Sequence, residues 1–320
     1  MHPSSPPRGG FIATSLCAFM CLCGAVSAQS LSHLSDYGVV VSGNLSTNSD
    51  IEGRTIVGGD ITSKSSANFG IKLKNKVPKK DLVLRVQGNV VAGSPLQLNA
   101  GSLELGGSLN GRIVNYNGGG SLVSNPGADY REIFSDLTLA SQNLATYGAN
   151  SEALLIANGP GQPGPFRMTA SPDSSGLAVF SINAQNLFGN KLAQQIELIT
   201  KGASDILINV AGKSVNWTAG NMVGDLTKEY WRERVVWNFY EATSVDFGSK
   251  NMMGQVLAPY ASVTASGNID GSIFAKNLTT TSEVHFPGYN GSITVIPEPG
   301  TSALGLIAAA ILLVRRKRVP

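Results

Sequence analysis

The chain has 320 residues, of which 42% are hydrophobic and 14% charged, well below the roughly 25% charged residues of an average globular domain. That balance excludes a long coiled coil, which needs a Glu/Lys/Arg surface, and general disorder, which needs a shortage of apolar residues. The net charge of +3 belongs to the ends: Arg8 and the four basic residues of 315–318 take five of the 24 Lys and Arg, leaving 19 against 21 acidic residues in the body, so no nucleic-acid partner is expected.

At the N-terminus, Phe11 to Val26 is a short apolar stretch preceded by Arg8 and followed by Val26-Ser27-Ala28 before Gln29. This is the pattern of a secretory signal peptide over 1–28, cleaved between Ala28 and Gln29. All three cysteines (Cys17, Cys21, Cys23) fall inside it. The processed chain is therefore expected to lack disulfides, thiolate metal sites and a cysteine nucleophile.

From Asp36 to about Gly127 short β-type runs are broken by glycine. One theme recurs: Gly43-Asn44-Leu45, Gly59-Asp60-Ile61, Gly88-Asn89-Val90 and Gly107-Ser108-Leu109, at intervals of 16, 29 and 19 residues. A second, Ile51-Glu52-Gly53-Arg54 and Leu109-Asn110-Gly111-Arg112, lies beside it and returns as Met253-Gly254-Gln255-Val256 and Ile269-Asp270-Gly271-Ser272. An imperfect repeat of this length with Gly/Asn corners fits one coil of a β-solenoid, because coils that cannot bury their aliphatics alone do so by stacking. The expected fold is all-β: one right-handed parallel β-solenoid spanning 29–294. A β-sandwich is the alternative.

Ala128 to Thr146 has helical spacing (Tyr130, Ile133, Phe134, Leu137, Leu144, Tyr147), follows Pro126-Gly127, which stops the preceding strand, and offers Gly148 as a C-cap; it predicts one helix along the solenoid flank. Further on, Trp217, Tyr230, Trp231, Trp237 and Phe239 crowd into 23 residues. Trp237 and Phe239 share strand parity and are expected to point inward against the helix, whereas Tyr230 and Trp231, beside Lys228, Arg232 and Arg234, are expected at the surface as candidate ligand contacts.

The succession Val235-Val236-Trp237-Asn238-Phe239-Tyr240-Glu241, Gly254-Gln255-Val256-Leu257-Ala258-Pro259-Tyr260, Gly267-Asn268-Ile269-Asp270-Gly271 and Glu283-Val284-His285-Phe286 resembles the choice-of-anchor A domain, an adhesive domain of bacterial surface proteins, with Gly53-Arg54 through Asp60 as its N-terminal hallmark. The resemblance covers most of 36–291. It implies a β-helical fold and no catalytic residues.

Residues 295–320 have three parts: Val295-Ile296-Pro297-Glu298-Pro299, the apolar run 301–314, and Arg315-Arg316-Lys317-Arg318. Fourteen residues make about 21 Å of helix, and snorkelling arginines extend its reach toward a membrane span. The basic cluster would stay cytoplasmic. This arrangement is similar to the PEP-CTERM sorting signal of exopolysaccharide-making Gram-negative bacteria. It implies processing by an exosortase, with Pro297, Glu298 and Pro299 as the recognised motif, 301–314 as a transmembrane helix and Arg315, Arg316, Lys317 and Arg318 as the retention cluster. The protein would cross the inner membrane, be held there by its C-terminus, and end at the cell surface or in the matrix.

Candidate chemistry is sparse. Glu283 and His285 fall on one side of a strand and are expected as a surface or hydrogen-bonded pair, not a metal site. No metal, cofactor or catalytic residue is expected. The reading is a non-enzymatic adhesin that binds exopolysaccharide or another cell-surface glycan. One alternative is a polysaccharide hydrolase or lyase drawing on Glu241, Asp246, Asp270 or Glu283, which would need two carboxylates in one cleft. Another is an ice-binding-type solenoid, although Thr279-Thr280-Thr281 is too short to form a threonine array along the chain.

Overall fold

The computed structural model describes residues 31–157 and 159–295. The signal peptide, the sorting motif Pro297-Glu298-Pro299, the expected helix 301–314 and the cluster 315–318 lie outside these residues. Among the described residues no helix is long and apolar enough to cross a membrane.

All strand pairings but one are parallel, the exception being Glu152–Leu155 against Gly164–Thr169. Large parallel sheets stacked as a solenoid, not two antiparallel layers, therefore form the body. The principal ladder runs Leu122–Ser124, Ser102–Leu105, Leu82–Val86, Arg54–Val57, Tyr37–Val41, Ile273–Thr280, Gln255–Ala265, Val235–Asn238, Asp205–Ala211, Leu177–Asn183. Ten strands at about 4.8 Å a step make a stack about 43 Å tall.

This order is not chain order. The chain starts in the middle at Tyr37–Val41 and climbs to Leu122–Ser124. The helix Arg131–Ala145 then carries it back past the stack, and from the far pole it returns until Ile273–Thr280 pairs with Tyr37–Val41. Two blocks distant in sequence thus share one interior.

Register makes that interior continuous. One column reads Phe180, Ile208, Trp237, Val256, Ile273, Val39, Thr55, Leu84, Leu103 and Leu122 from pole to pole. Every member is fully buried except Leu122. Trp237 and Phe239 do point inward, but into this interior beside Phe188 (5.9 and 5.8 Å between ring centres), not against the helix. The helix instead covers the opposite parity: Leu137, Ala140 and Leu144 pack on Val40, Ile56, Val179, Leu207, Val236, Leu257 and Phe274. Two buried asparagines fix its position. Asn209 Nδ2 donates to the Leu144 carbonyl (2.8 Å), and Asn238 Nδ2 donates to the Ser141 carbonyl (2.8 Å). Thr146 takes the C-cap in place of the expected Gly148.

The Gly-polar-aliphatic theme forms a corner of the coils. Asn277 Oδ1 accepts from Asn44 N (2.8 Å), Asn44 Oδ1 from Asp60 N (2.9 Å), Asp60 Oδ1 from Asn89 N (2.6 Å), and Asn89 Oδ1 from Ser108 N (3.0 Å). Each side-chain oxygen occupies the space a Cβ would need at Gly43, Gly59, Gly88 or Gly107 on the next coil, which is why the residue before the ladder is glycine. In the second theme Gly111 adopts φ +77°, and Arg112 turns inward to donate to the carbonyls of Ser94 (2.7 Å), Ser63 (2.6 Å) and Ser65.

A strap closes the helix side. After Val284–His285 the chain crosses the coils instead of joining one. Tyr289 N donates to Leu34 O (3.0 Å), Asn290 N to Glu233 O (2.9 Å) and Ser292 Oγ to Asp205 Oδ2 (2.6 Å), and Tyr147 Oη donates to Thr294 O (2.6 Å). Val295 therefore ends near the pole formed by Leu177–Asn183.

Candidate functional site

The strand face next to the helix-covered one carries no covering element among the described residues. It consists of Ser214–Asn216, Ser244–Asp246, the C-terminal halves of Gln255–Ala265 and Ile273–Thr280, and Leu45–Thr47, extended by bridges through Ile61 and Val90. Strand alternation sorts its residues. Val215, Val245, Val263, Leu278, Leu45, Ile61 and Val90 form a buried apolar column beneath it.

Two outward columns flank that core. Ser214, Ser244, Ser262 and Asn277 are in register, and so are Asn216, Asp246, Thr264, Thr279 and Ser46. Adjacent members of a column stand about 4.8 Å apart and the columns about 6.7 Å apart, the spacings of any flat parallel sheet. Only hydroxyl, amide and one carboxylate group project from this lattice. Asp246 Oδ1 accepts from Gly248 N (2.8 Å), and Asn277 Nδ2 donates to Ser262 Oγ (3.0 Å). Among the described residues, the side chains of Ser214, Asn216, Ser244, Thr264, Thr279 and Ser46 make no hydrogen bond within the protein.

The third face is polar too, but its groups are spent on one another. Asn68 Nδ2 donates to Asp50 Oδ1 (2.7 Å), and Asn115 and Asn117 both donate to Gln97 Oε1 (3.2 and 3.1 Å). On the second face, water or a ligand meets unsatisfied donors and acceptors in ordered rows.

Of the residues singled out in the sequence, Asp246 and Thr279 lie on this face and the others lie elsewhere. Tyr230 is exposed, on the short helix Glu229–Arg232, but the Arg234 guanidinium sits 4.0 Å over its ring; Trp231 is 8% exposed and packs edge-on against it, so the expected surface position holds for Tyr230 alone. Glu283 and His285 are the hydrogen-bonded pair that was expected, with Nε2 to Oε2 at 2.7 Å. Asp270, 15 residues earlier, holds the other ring nitrogen, and Arg232 reaches the second Asp270 oxygen at 3.3 Å. Two carboxylates thus flank one imidazole, but Asp270 is buried with both oxygens engaged. Glu241 accepts from Gly212 N (2.7 Å) and Asp246 is on the outward lattice, so of the four acids only Asp270 and Glu283 come together, bridged by His285. No group of three or more His, Cys, Asp or Glu suited to a metal ion occurs among the described residues. A cavity of about 430 Å³ between the helix end and the strap is walled by Asp173 and Asp205, whose carboxylates are already bonded to Ser175, Leu177 and Ser292.

The outward columns escaped sequence reasoning because they run across coils. Thr279 was judged with Thr280 and Thr281, but Thr280 is buried and the neighbours of Thr279 are Thr264 and Ser46. The available signal was the interval between repeats, applied to Ser and Thr as well as to Gly.

Residues 30–286 match the family described as "Putative Ice-binding-like adhesive domain". No curated protein matches the chain. Three solved structures are similar over most of it. An ice-binding protein from an Antarctic biological consortium is 16% identical, with 81% of this chain and 90% of that chain covered and a TM-score of 0.30. One from the Antarctic ascomycete Antarctomyces psychrotrophicus is 13% identical, with 83% and 100% covered and a TM-score of 0.32. The Shewanella frigidimarina ice-binding protein DUF3494 domain is 11% identical, with 83% and 98% covered and a TM-score of 0.34.

Proposed function

Because this chain belongs to the ice-binding-like adhesive domain family, we propose that it is an exported surface adhesin whose second face lies flat on an extended hydroxyl-rich polymer, an exopolysaccharide or a cell-surface glycan. The observation that carries this reading is the pair of register-matched columns in which Ser214, Asn216, Ser244, Thr264, Thr279 and Ser46 make no side-chain hydrogen bond among the described residues. A sugar chain offers alternating donors and acceptors, and each weak contact is multiplied by the next coil and the next molecule. Asp246 within the lattice and Lys213 and Lys276 beside it suit a hydrated polymer better than a neutral crystal surface. Tyr230, with one ring face taken by Arg234, lies outside this binding face.

The ends of the chain support the same role. Cleavage between Ala28 and Gln29 exports the body; the helix 301–314 and Arg315–Arg318 hold it at the membrane, and an exosortase acts at Pro297-Glu298-Pro299. The mass of the surface-localised product tests this route, and a product retaining 315–318 refutes processing.

A glycan panel offered to the chain and to a Thr264→Lys/Thr279→Lys variant tests the face. Retention without shortening, lost in the variant, is the expected outcome. Release of shortened products indicates a polysaccharide-cleaving enzyme instead. A second reading, that the same rows order water into an ice-like layer, draws on the adjacent threonines Thr264 and Thr279; thermal hysteresis abolished by the same variant, without glycan retention, selects it.

A further inference from the structure

The two poles of the stack are finished differently. At one, Phe180 ends the interior column fully buried, and the strand Glu152–Leu155, paired antiparallel with Gly164–Thr169 of the terminal coil, packs beside it. There Asn150 also caps the edge: its Oδ1 accepts from Val179 N (2.8 Å) and its Nδ2 donates to Leu177 O (3.0 Å). At the other pole the same column ends in Leu122, which occupies an interior position but is 43% exposed because no coil follows it among the described residues. Val123 is 40% and Ile113 61% exposed in the same terminal coil.

Leu122–Ser124 is also an unprotected edge. Ser121 O and Asn125 N bond to the strand Ser102–Leu105, so alternation turns the N–H and C=O of Leu122 and Ser124 outward. Edges of this kind are normally blunted by charge or proline. Residues 113–128 contain no charged side chain, and the one proline, Pro126, follows the strand.

We propose that this pole is a homotypic interface, at which Leu122–Ser124 pairs antiparallel with the same strand of a second copy. A two-fold axis at Val123 puts Leu122 of one copy opposite Ser124 of the other, so each outward N–H meets an outward C=O, and the two interior columns join end to end. Such a contact is self-complementary and stops at two. The capped pole cannot extend it into a filament. A second copy is favoured because the uncharged edge is complementary to itself about Val123, and Val295 leaves at the opposite pole, about 43 Å away. Copies tethered by their tails therefore present the open pole outward, toward copies on a facing surface. The end of one coil is a small interface, so single pairs are weak and facing arrays hold through number.

The inference does not depend on the glycan-binding face. Sedimentation of the full chain over rising concentration, with hydrogen exchange read at Leu122 and Ser124, tests it against Val123→Lys and Ser124→Pro, the latter removing only an outward N–H. Expected are a monomer–dimer equilibrium without higher species, exchange at both amides that slows with concentration, and at least tenfold weaker pairing in either variant at unchanged melting temperature. If the variants fail to fold, exchange in the native chain decides. A monomer up to about 1 mM, association that survives both substitutions, or amides already protected in the monomer overturns the proposal. Loss of glycan retention in the Thr264→Lys/Thr279→Lys variant leaves the dimer unaffected and so bears only on the binding face.

Discussion

Two buried residues show how much individual side chains matter here. Thr55 sits in the interior column between Val39 and Leu84, and its hydroxyl finds no partner among the described residues. An unpaired buried hydroxyl costs on the order of 1–3 kcal/mol, so Thr55→Val is expected to stabilise the fold by about 1 kcal/mol, read as a higher urea midpoint at unchanged slope. His285 acts through charge. Burial pulls its pKa down, but the hydrogen bonds to Asp270 and then Glu283 outweigh this and leave it raised above 6.5. With the folded pKa above the unfolded one, its stabilisation is complete below about pH 6.5 and is lost as pH rises through the folded value. The melting temperature of the chain should therefore fall over that window, and His285→Gln should flatten the decline; an equally steep decline in the variant would assign it to another group. Only part of this site was legible in the sequence. Glu283 and His285 declare their pairing by strand parity, whereas Asp270 and Arg232 arrive from other coils, and no local spacing encodes that.

At the scale of elements, the glycine corners were readable because their cause is local and repeats: a side-chain oxygen from one coil fills the Cβ position on the next. Gly88→Ala drives a methyl group into the Gly59 carbonyl and the Asp60 carboxylate, and should cost about 1–3 kcal/mol. Asn89→Ala, which removes two exposed hydrogen bonds, one from Ser108 N and a long one to Asp60 Oδ1 (3.4 Å), should cost about 1 kcal/mol or less. Equal losses in chemical denaturation would mean that close approach is not what selects glycine. The flanking helix was also readable, from the spacing of Leu137 and Leu144. Which parity of the sheet it covers was not, because both parities of Val235–Asn238 are buried, one by the helix and one by the interior. Periodicity separates buried from exposed residues; it does not separate two buried sides.

At the scale of the molecule, the order of coils was invisible. Repeats at regular intervals suggest sequential stacking, but Val39 pairs with Ile273, 234 residues later. That closure makes both blocks depend on the last coils. A chain ending at Ser266 leaves Val39, Val41 and Leu45 lining an open mouth. It is expected to lose the single cooperative transition of the intact chain and to become protease-sensitive within 37–124. Two-state unfolding of that fragment at the native midpoint would show that the blocks are independent. The strap adds a mechanical consequence. If the tail is tethered as proposed, tension enters at Val295 and meets Thr294, Ser292, Asn290 and Tyr289 one after another, each bonded to a different segment of the chain, before it reaches the seam at Val284 and Ile51. Load is then shed in small successive ruptures along the outside, and the peeled segment lengthens the tether while the stacked coils and their outward polar rows stay whole.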